Sequence, residues 1–155
     1  LGDNIRIDDF CILSGNIKLG SYIHISAYTC LIGGVKGIIL QDFVTVSSRC
    51  AVYAVSDDFS GEQLNNSMIP TAYRSVIEGR VILEDYVSVG TGSTILPGVK
   101  LEEGAAVGAM SFVKHTLEGW KIYAGAPCRY VKDRNQNMKQ LRAVLQNSGE
   151  YEESR

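Results

Sequence analysis

Few residues in this chain can move a proton or hold a metal, and their spacing narrows the chemistry. Only two histidines occur, His24 and His115. A catalytic zinc centre with an open fourth position commonly takes three histidines, so a metal hydratase of that kind is disfavoured. The four cysteines, Cys11, Cys30, Cys50 and Cys128, contain no Cys-x-x-Cys pair. Cys11 and Cys50 read as small apolar side chains rather than as disulfide partners or metal ligands. The paired carboxylates Asp57-Asp58 stand in a stretch rich in turn residues. A carboxylate or an imidazole can accept a proton, and backbone N–H groups at tight glycine-rich turns such as Gly90-Thr91-Gly92 can stabilise a developing oxyanion.

These groups must be positioned by a scaffold, and residues 81 to 114 reveal it. Leu83, Val89, Ile95, Leu101, Val107 and Val113 recur every sixth position. Four places after each come Val87, Ser93, Val99, Ala105, Ser111 and Leu117, all small or aliphatic. A helix cannot use this period, because six residues advance about 600° and the ladder would wander around the helix. In a strand, positions two apart share a face. One short strand and one corner use six residues, and three such units close a triangular turn. The reading is a parallel β-helix of hexapeptide repeats. A β-sandwich would have to reproduce six consecutive matches by coincidence.

The ladder starts at the N-terminus with Ile7, Leu13, Leu19, Ile25 and Leu31, preceded two places earlier by Ile5, Cys11, Ile17, Ile23 and Thr29. Leu40 follows Leu31 by nine residues, with Gly33-Gly34 marking a bulged corner, and Val46 and Val52 restore the step. Residues 56 to 80 lose the period, yet they hold Phe59, Met68, Ile69 and Tyr73. This stretch is expected to be an ordered excursion packed on the coil or on a neighbouring subunit. The coil should run to about Leu117. Residues 133 to 147 favour a helix with an apolar stripe of Met138, Leu141, Val144 and Leu145, and the last eight residues should fray. The expected organisation is a β-helix domain over 1–132 and a helix with tail over 133–155. Tyr86, Met110 and Phe112 are expected on the outer face.

The chain has 155 residues, 45% of them hydrophobic, enough for one domain with a core. Fifteen Lys+Arg against 17 Asp+Glu give a net charge of −2, which argues against a nucleic-acid surface. No stretch approaches the length of a membrane span. No signal peptide is visible, and the cysteine pattern suits a reducing, cytoplasmic setting. The chain opens at Leu1 inside a repeat, so an upstream portion is expected.

Three motifs carry a family resemblance: Gly92-Ser93-Thr94-Ile95-Leu96-Pro97-Gly98-Val99, Val107-Gly108-Ala109-Met110-Ser111 and Tyr123-Ala124-Gly125-Ala126-Pro127-Cys128-Arg129. Over residues 1 to 132 the chain resembles the hexapeptide-repeat acyltransferases. Ser56-Asp57-Asp58-Phe59-Ser60-Gly61 looks most like the branch of dTDP-4-amino-4,6-dideoxyglucose N-acyltransferases. The resemblance implies a left-handed parallel β-helix, although crossovers between parallel strands are nearly always right-handed. It implies a homotrimer, acetyl-CoA or a similar acyl donor in the groove between adjacent coils, and an acceptor under the 56–80 loop. By family position Ala109 N–H meets the thioester carbonyl, Gly90 and Thr91 line the pantetheine groove, and Lys114, Arg129 and Lys132 meet the CoA phosphates.

The proton acceptor is where the chain departs from that family. Sugar O-acetyltransferases of this fold carry a histidine where the loop begins, and the matching position here is Asp57. His115 follows the last regular rung and carries little catalytic weight. His24 precedes the inward Ile25, so it points outward. It is a catalytic candidate, with Asp57 or Asp58 as its partner or as the base itself. A carboxylate is a weak base for a hydroxyl but adequate for an amine. The expected activity is therefore acyl transfer to the amine of a nucleotide-linked amino sugar, for surface polysaccharide such as the O-antigen of lipopolysaccharide. The alternatives are O-acetylation of a sugar hydroxyl, a γ-carbonic-anhydrase-like hydratase and a non-catalytic β-helix. Neither a metal nor membrane insertion is expected.

Overall fold

With three strands and three corners to a turn, residues eighteen apart must lie one above the other. The computed structural model, which describes residues 1–148, has this register: Ile5 pairs with Ile23, Arg6 with His24 and Ile7 with Ile25, all parallel. Successive strands pass to successive sheets. Ile5–Ile7, Ile23–Ile25, Thr45–Val46, Ser88–Val89 and Ala106–Val107 build the first face. Ile12–Ser14, Cys30–Ile32, Ala51–Tyr53, Thr94–Ile95 and Phe112–Val113 build the second. Ile17–Leu19, Ile38–Leu40, Val81–Leu83 and Lys100–Leu101 build the third.

Two interruptions break the register, both between the second and third faces. Lys18 pairs with Ile39, 21 residues on instead of eighteen. The three surplus residues form the Gly33–Gly37 corner, where Gly34 and Gly37 have φ of 51° and 88°. Ile39 then pairs with Ile82, 43 residues on, a surplus of 25 that is the excursion. The excursion is more regular than its sequence suggests. Val55–Asp57 pairs antiparallel with Val76–Glu78, and Thr71–Tyr73 makes one helical turn. Of Phe59, Met68, Ile69 and Tyr73, Ile69 is half-buried and the other three are exposed. Phe59, Met68 and Tyr73 are 78%, 87% and 64% exposed, because the hairpin projects away from the prism.

The ladder residues fill the interior. Leu83, Val89, Ile95, Leu101, Val107 and Val113 are buried, as are their six partners from Val87 to Leu117. Ser93 and Ser111 satisfy their hydroxyls by donating to the Gly108 carbonyl at 3.1 and 2.7 Å, as buried polar groups must. Cys50 is buried, and that burial pushes its thiol pKa up. Cys11 is only half-buried, and Ile7 and Leu13 of the same turn are exposed.

Tyr86 corrects the outer-face expectation: it is buried. Tyr22, Phe43, Tyr86 and Trp120 occupy one corner with φ of 57°, 60°, 63° and 52°. Left-handed backbone costs a non-glycine residue about 1–2 kcal/mol. Stacking offsets part of this, with ring centroids 4.7, 5.5 and 5.7 Å apart along the row. Gly104 sits in the same row at φ 71°, and a Cβ there would lie 2.4 Å from the Trp120 ring. Gly104→Ala should cost about 2–4 kcal/mol, from the left-handed backbone and the overpacking together. The urea midpoint would read it.

The C-terminal segment also departs from expectation. Arg129–Asp133 is a strand antiparallel to Lys121–Ala124, so the helix α1 starts at Met138 and runs to Ser148 rather than from 133. Arg142 straps it to the coil, reaching Asp42 at 2.8 Å and Asp85 at 2.7 Å. Leu141 and Val144 of the apolar stripe stay exposed. Beyond Ser148, the expected frayed tail lies outside the described residues. Among the described residues no helix is long and apolar enough to cross a membrane.

Candidate functional site

The glycine-rich triplets come together at the corner between the first and second faces. Ser26-Ala27-Tyr28, Ser47-Ser48-Arg49, Gly90-Thr91-Gly92 and Gly108-Ala109-Met110 stack one turn above another. Arg49 N donates to Ala27 O at 3.1 Å, Gly92 N to Ser48 O at 3.0 Å and Met110 N to Thr91 O at 2.8 Å. Gly90 N donates to Val107 O at 2.8 Å. The donors are outer residues of each triplet, and the central carbonyls of Ala27, Ser48 and Thr91 accept three of the bonds. The central N–H groups of Ser48, Thr91 and Ala109 donate to no other described residue. The corner therefore offers a column of unpaired donors about 4.8 Å apart, the spacing of parallel strands. Gly90 is required here by space. A Cβ would lie 2.5 Å from the Ala109 nitrogen.

The three cations assigned from the sequence lie toward the C-terminal end of the coil, with Lys114 one turn beyond Leu96, at the far end of the second-face strand from the Gly108-Ala109-Met110 corner. Cys128 N donates to Phe112 O at 2.9 Å, which sets Arg129 beside the strand that ends next to Lys114. Lys132 pairs with Ile122 in the last hairpin. All three are exposed and make no ion pair with a described residue.

The two aspartates separate in role. Asp57 lines a groove of roughly 580 Å³ between the hairpin and the second face, with Tyr53, Leu96, Phe59 and Arg74. Its carboxylate accepts no hydrogen bond from a described residue, and the Arg74 guanidinium stands 4.0 Å away. Asp58 turns into its own loop instead, where its Oδ1 accepts the Ser60 N–H at 2.8 Å. The sequence reading missed Arg74, which sits in the aperiodic stretch with no neighbour in sequence to mark it.

His24 lies on the first face, away from both. Its Nε2 is 2.9 Å from Asp8 Oδ2, and Arg6 Nε donates to the other oxygen of Asp8 at 2.7 Å. Within one chain its partner is therefore Asp8, not Asp57 or Asp58. The hydrogen bonds from Arg6 first, and then from His24, hold the Asp8 carboxyl below the usual carboxylate range. The stabilisation this adds is present above the ordinary Asp value of 3.8 and is lost as pH falls through the depressed one. His115 is exposed beyond the last rung. Among the described residues no group of three His, Cys, Asp or Glu side chains is placed to hold a metal ion.

No model of a protein family matches the chain. A curated relative from Escherichia coli, a dTDP-4-amino-4,6-dideoxy-D-glucose acyltransferase, is 36% identical over 151 residues, covering 96% of this chain and 78% of the relative. AntD, an N-acyltransferase from Bacillus cereus solved with dTDP-4-amino-4,6-dideoxyglucose and coenzyme A, is 50% identical. Its structure superposes with a TM-score of 0.93 over 95% of this chain and 79% of that one. A hexapeptide-repeat acetyltransferase from Vibrio cholerae, 20% identical, shares the fold with a TM-score of 0.73 over 88% of this chain and 74% of its own. The chain belongs to the hexapeptide-repeat acyltransferase family, with dTDP-4-amino-4,6-dideoxyglucose acyltransferases among its relatives.

Proposed function

We propose that this acyltransferase moves an acyl group, acetyl or similar, from its CoA thioester to the amine of a nucleotide-linked amino sugar. One observation carries the reading: the groove under the hairpin holds the Asp57 carboxylate, which accepts no hydrogen bond from a described residue, has the Arg74 guanidinium 4.0 Å away, and is suited to an amine. AntD, solved with an amino-sugar nucleotide and CoA, and also with dTDP and 3-hydroxybutyryl-CoA, supports it.

In this mechanism Asp57 binds the acceptor ammonium and takes one of its protons. The freed lone pair attacks the thioester carbonyl. The new C–N bond forms, the C–S bond breaks, and a proton from the amine ends on the leaving thiolate. Unpaired N–H groups of the corner meet the developing oxyanion. Their spacing orders the roles. A pantetheine arm has about as many chain bonds as four residues, so it spans roughly 13–14 Å when extended. That is nearly three rungs at about 4.8 Å each. With the phosphates held by Lys114, Arg129 and Lys132, the thioester falls at the Ser47-Ser48 rung. Thr91 and Ala109 then serve the arm along the Gly90 groove. On this ordering the Ala109 N–H serves an arm carbonyl, whereas family position alone assigns it to the thioester carbonyl. AntD has been solved with variants at a serine and an aspartate ten positions apart. Ser47 and Asp57, and Ser48 and Asp58, have that spacing here.

The rest of the reading follows the family. The coil of residues 1–132 winds left-handed and serves as the acyltransferase body, with 133–155 appended. The working form is a homotrimer, whose interfaces would cover the exposed Phe59, Met68 and Met110. The setting is cytoplasmic synthesis of surface polysaccharide, including lipopolysaccharide O-antigen. Purified protein should release free thiol from acetyl-CoA or 3-hydroxybutyryl-CoA with dTDP-4-amino-4,6-dideoxyglucose. No release with any amino-sugar nucleotide would end this reading.

O-acetylation remains a second reading because of the Asp8–His24 pair, in which a carboxylate orients an imidazole. His24→Ala separates the two. Amine transfer should stay within about threefold of wild type, whereas a hydroxyl acceptor that depends on this base should lose about 10²–10⁴-fold in kcat. Steady-state rates with amino and hydroxy forms of one sugar nucleotide decide it.

A further inference from the structure

Both interruptions of the coil occur at one corner, and each brings a cation to the same place. The Gly33–Gly37 bulge carries Lys36, and the excursion returns to the coil at Arg80. Arg80 Nε donates to the Lys36 carbonyl at 3.0 Å, which fixes the guanidinium and leaves its two terminal nitrogens without a partner among the described residues. Lys18, on the adjacent strand, lines the same depression. Lys18, Lys36, Arg80 and Asn16 surround a depression of about 60 Å³. None of the three cations makes an ion pair with a described residue, although the chain as a whole carries a net charge of −2.

Three like charges around one depression repel each other unless an anion joins them. The depression has room for about two water molecules, each of which takes roughly 30 Å³ in the liquid. A phosphoryl group is of that size. The Arg80 nitrogens offer paired donors suited to its oxygens, and the two lysines add charge.

We infer that Lys18, Lys36 and Arg80 form a binding site for a phosphoryl group of a substrate, distinct from the cations Lys114, Arg129 and Lys132. Its occupant is a phosphate of the acceptor's nucleoside diphosphate or of the carrier. The first of these rests on the function proposed above, and the chain between Val76, the strand partner of Asp57, and Arg80 sets an upper bound on the distance to be spanned. Asp57 pairs with Val76 in the hairpin, and Arg80 follows Val76 by four residues. Four extended residues span roughly 13–14 Å. A hexose, its anomeric phosphate and the reach of the arginine side chain can bridge that distance.

Titration calorimetry of the full chain at low and moderate salt tests the site with three probes: inorganic pyrophosphate, dTDP and CoA. The comparison is between wild type and the double variant Lys36→Gln, Arg80→Gln. The expected result is a loss of at least tenfold in pyrophosphate and dTDP affinity, with CoA unchanged and the wild-type affinity falling as salt rises. A loss confined to pyrophosphate and CoA would keep the site and assign it to the carrier. Equal binding of all three probes by both proteins would overturn the site while leaving the proposed activity standing. Wild-type protein that binds none of the three would also overturn it. The thiol-release assay judges the activity separately. Circular dichroism of the variant confirms that any loss is not a loss of fold.

Discussion

Asp57→Asn is expected to lower kcat/KM for the amine acceptor by about 10²–10⁴-fold, the range a positioned proton acceptor contributes. Thermal stability should be unchanged. Asp57 is half-buried on the groove, and no described residue donates to its carboxylate. Removing its charge therefore breaks no hydrogen bond and loses only the loose 4.0 Å approach of the Arg74 guanidinium, a contact of small worth. Asp58→Asn is the internal control. The Asp58 side chain accepts the Ser60 N–H at 2.8 Å, and an asparagine oxygen accepts it equally well. Its activity should stay within about threefold. Thiol release measured alongside melting temperature distinguishes the two variants. Equal losses in both, or a loss only in Asp58→Asn, would remove Asp57 from the mechanism.

The second large effect is expected from Ala109→Phe. Ala109 is exposed at the centre of its corner triplet, and its N–H donates to no other described residue. A larger side chain there meets no coil residue that must move, so stability should change by no more than about 0.5 kcal/mol, as at other surface positions. If the carrier arm runs down the column from Ser48 to Ala109, the new ring stands in its path. CoA affinity by calorimetry should then fall by at least about 100-fold, with dTDP affinity retained. Gly90→Ala reaches the same column from inside, because its Cβ would press 2.5 Å from the Ala109 nitrogen. That variant should lose stability as well as CoA affinity, and this difference separates blocking the groove from distorting it. Undiminished CoA binding in Ala109→Phe would place the carrier elsewhere.

The scaffold was legible because its signal is local. An inward residue every sixth position follows from the strand-and-corner geometry alone, and Leu83 through Val113 were each buried as that period requires. Even the interruptions could be measured along the chain. The nine-residue step from Leu31 to Leu40 and the loss of period after Ser56 reappear as register surpluses of 3 and 25 residues.

Residues whose place depends on partners far along the chain were not legible. Tyr86 looked like an outer-face aromatic, yet Phe43, Trp120 and Arg142, 43, 34 and 56 positions away, bury it. The helix boundary was early because Arg129–Asp133 finds a strand partner in Lys121–Ala124. Asp57 and Asp58 are neighbours of the same type. Only the hairpin register decided which carboxylate faces the groove and which closes a turn. Asp8 became the partner of His24 because eighteen residues of coil set Arg6 beside His24.

By itself the sequence determined the coil, its corners and the family, because the hexad repeats within reach of a single strand and corner. Tertiary structure alone decided which side chains share a site. Lys36 meets Arg80 and Asp57 meets Arg74 across insertions that carry no period, so no spacing rule could bring them together in advance.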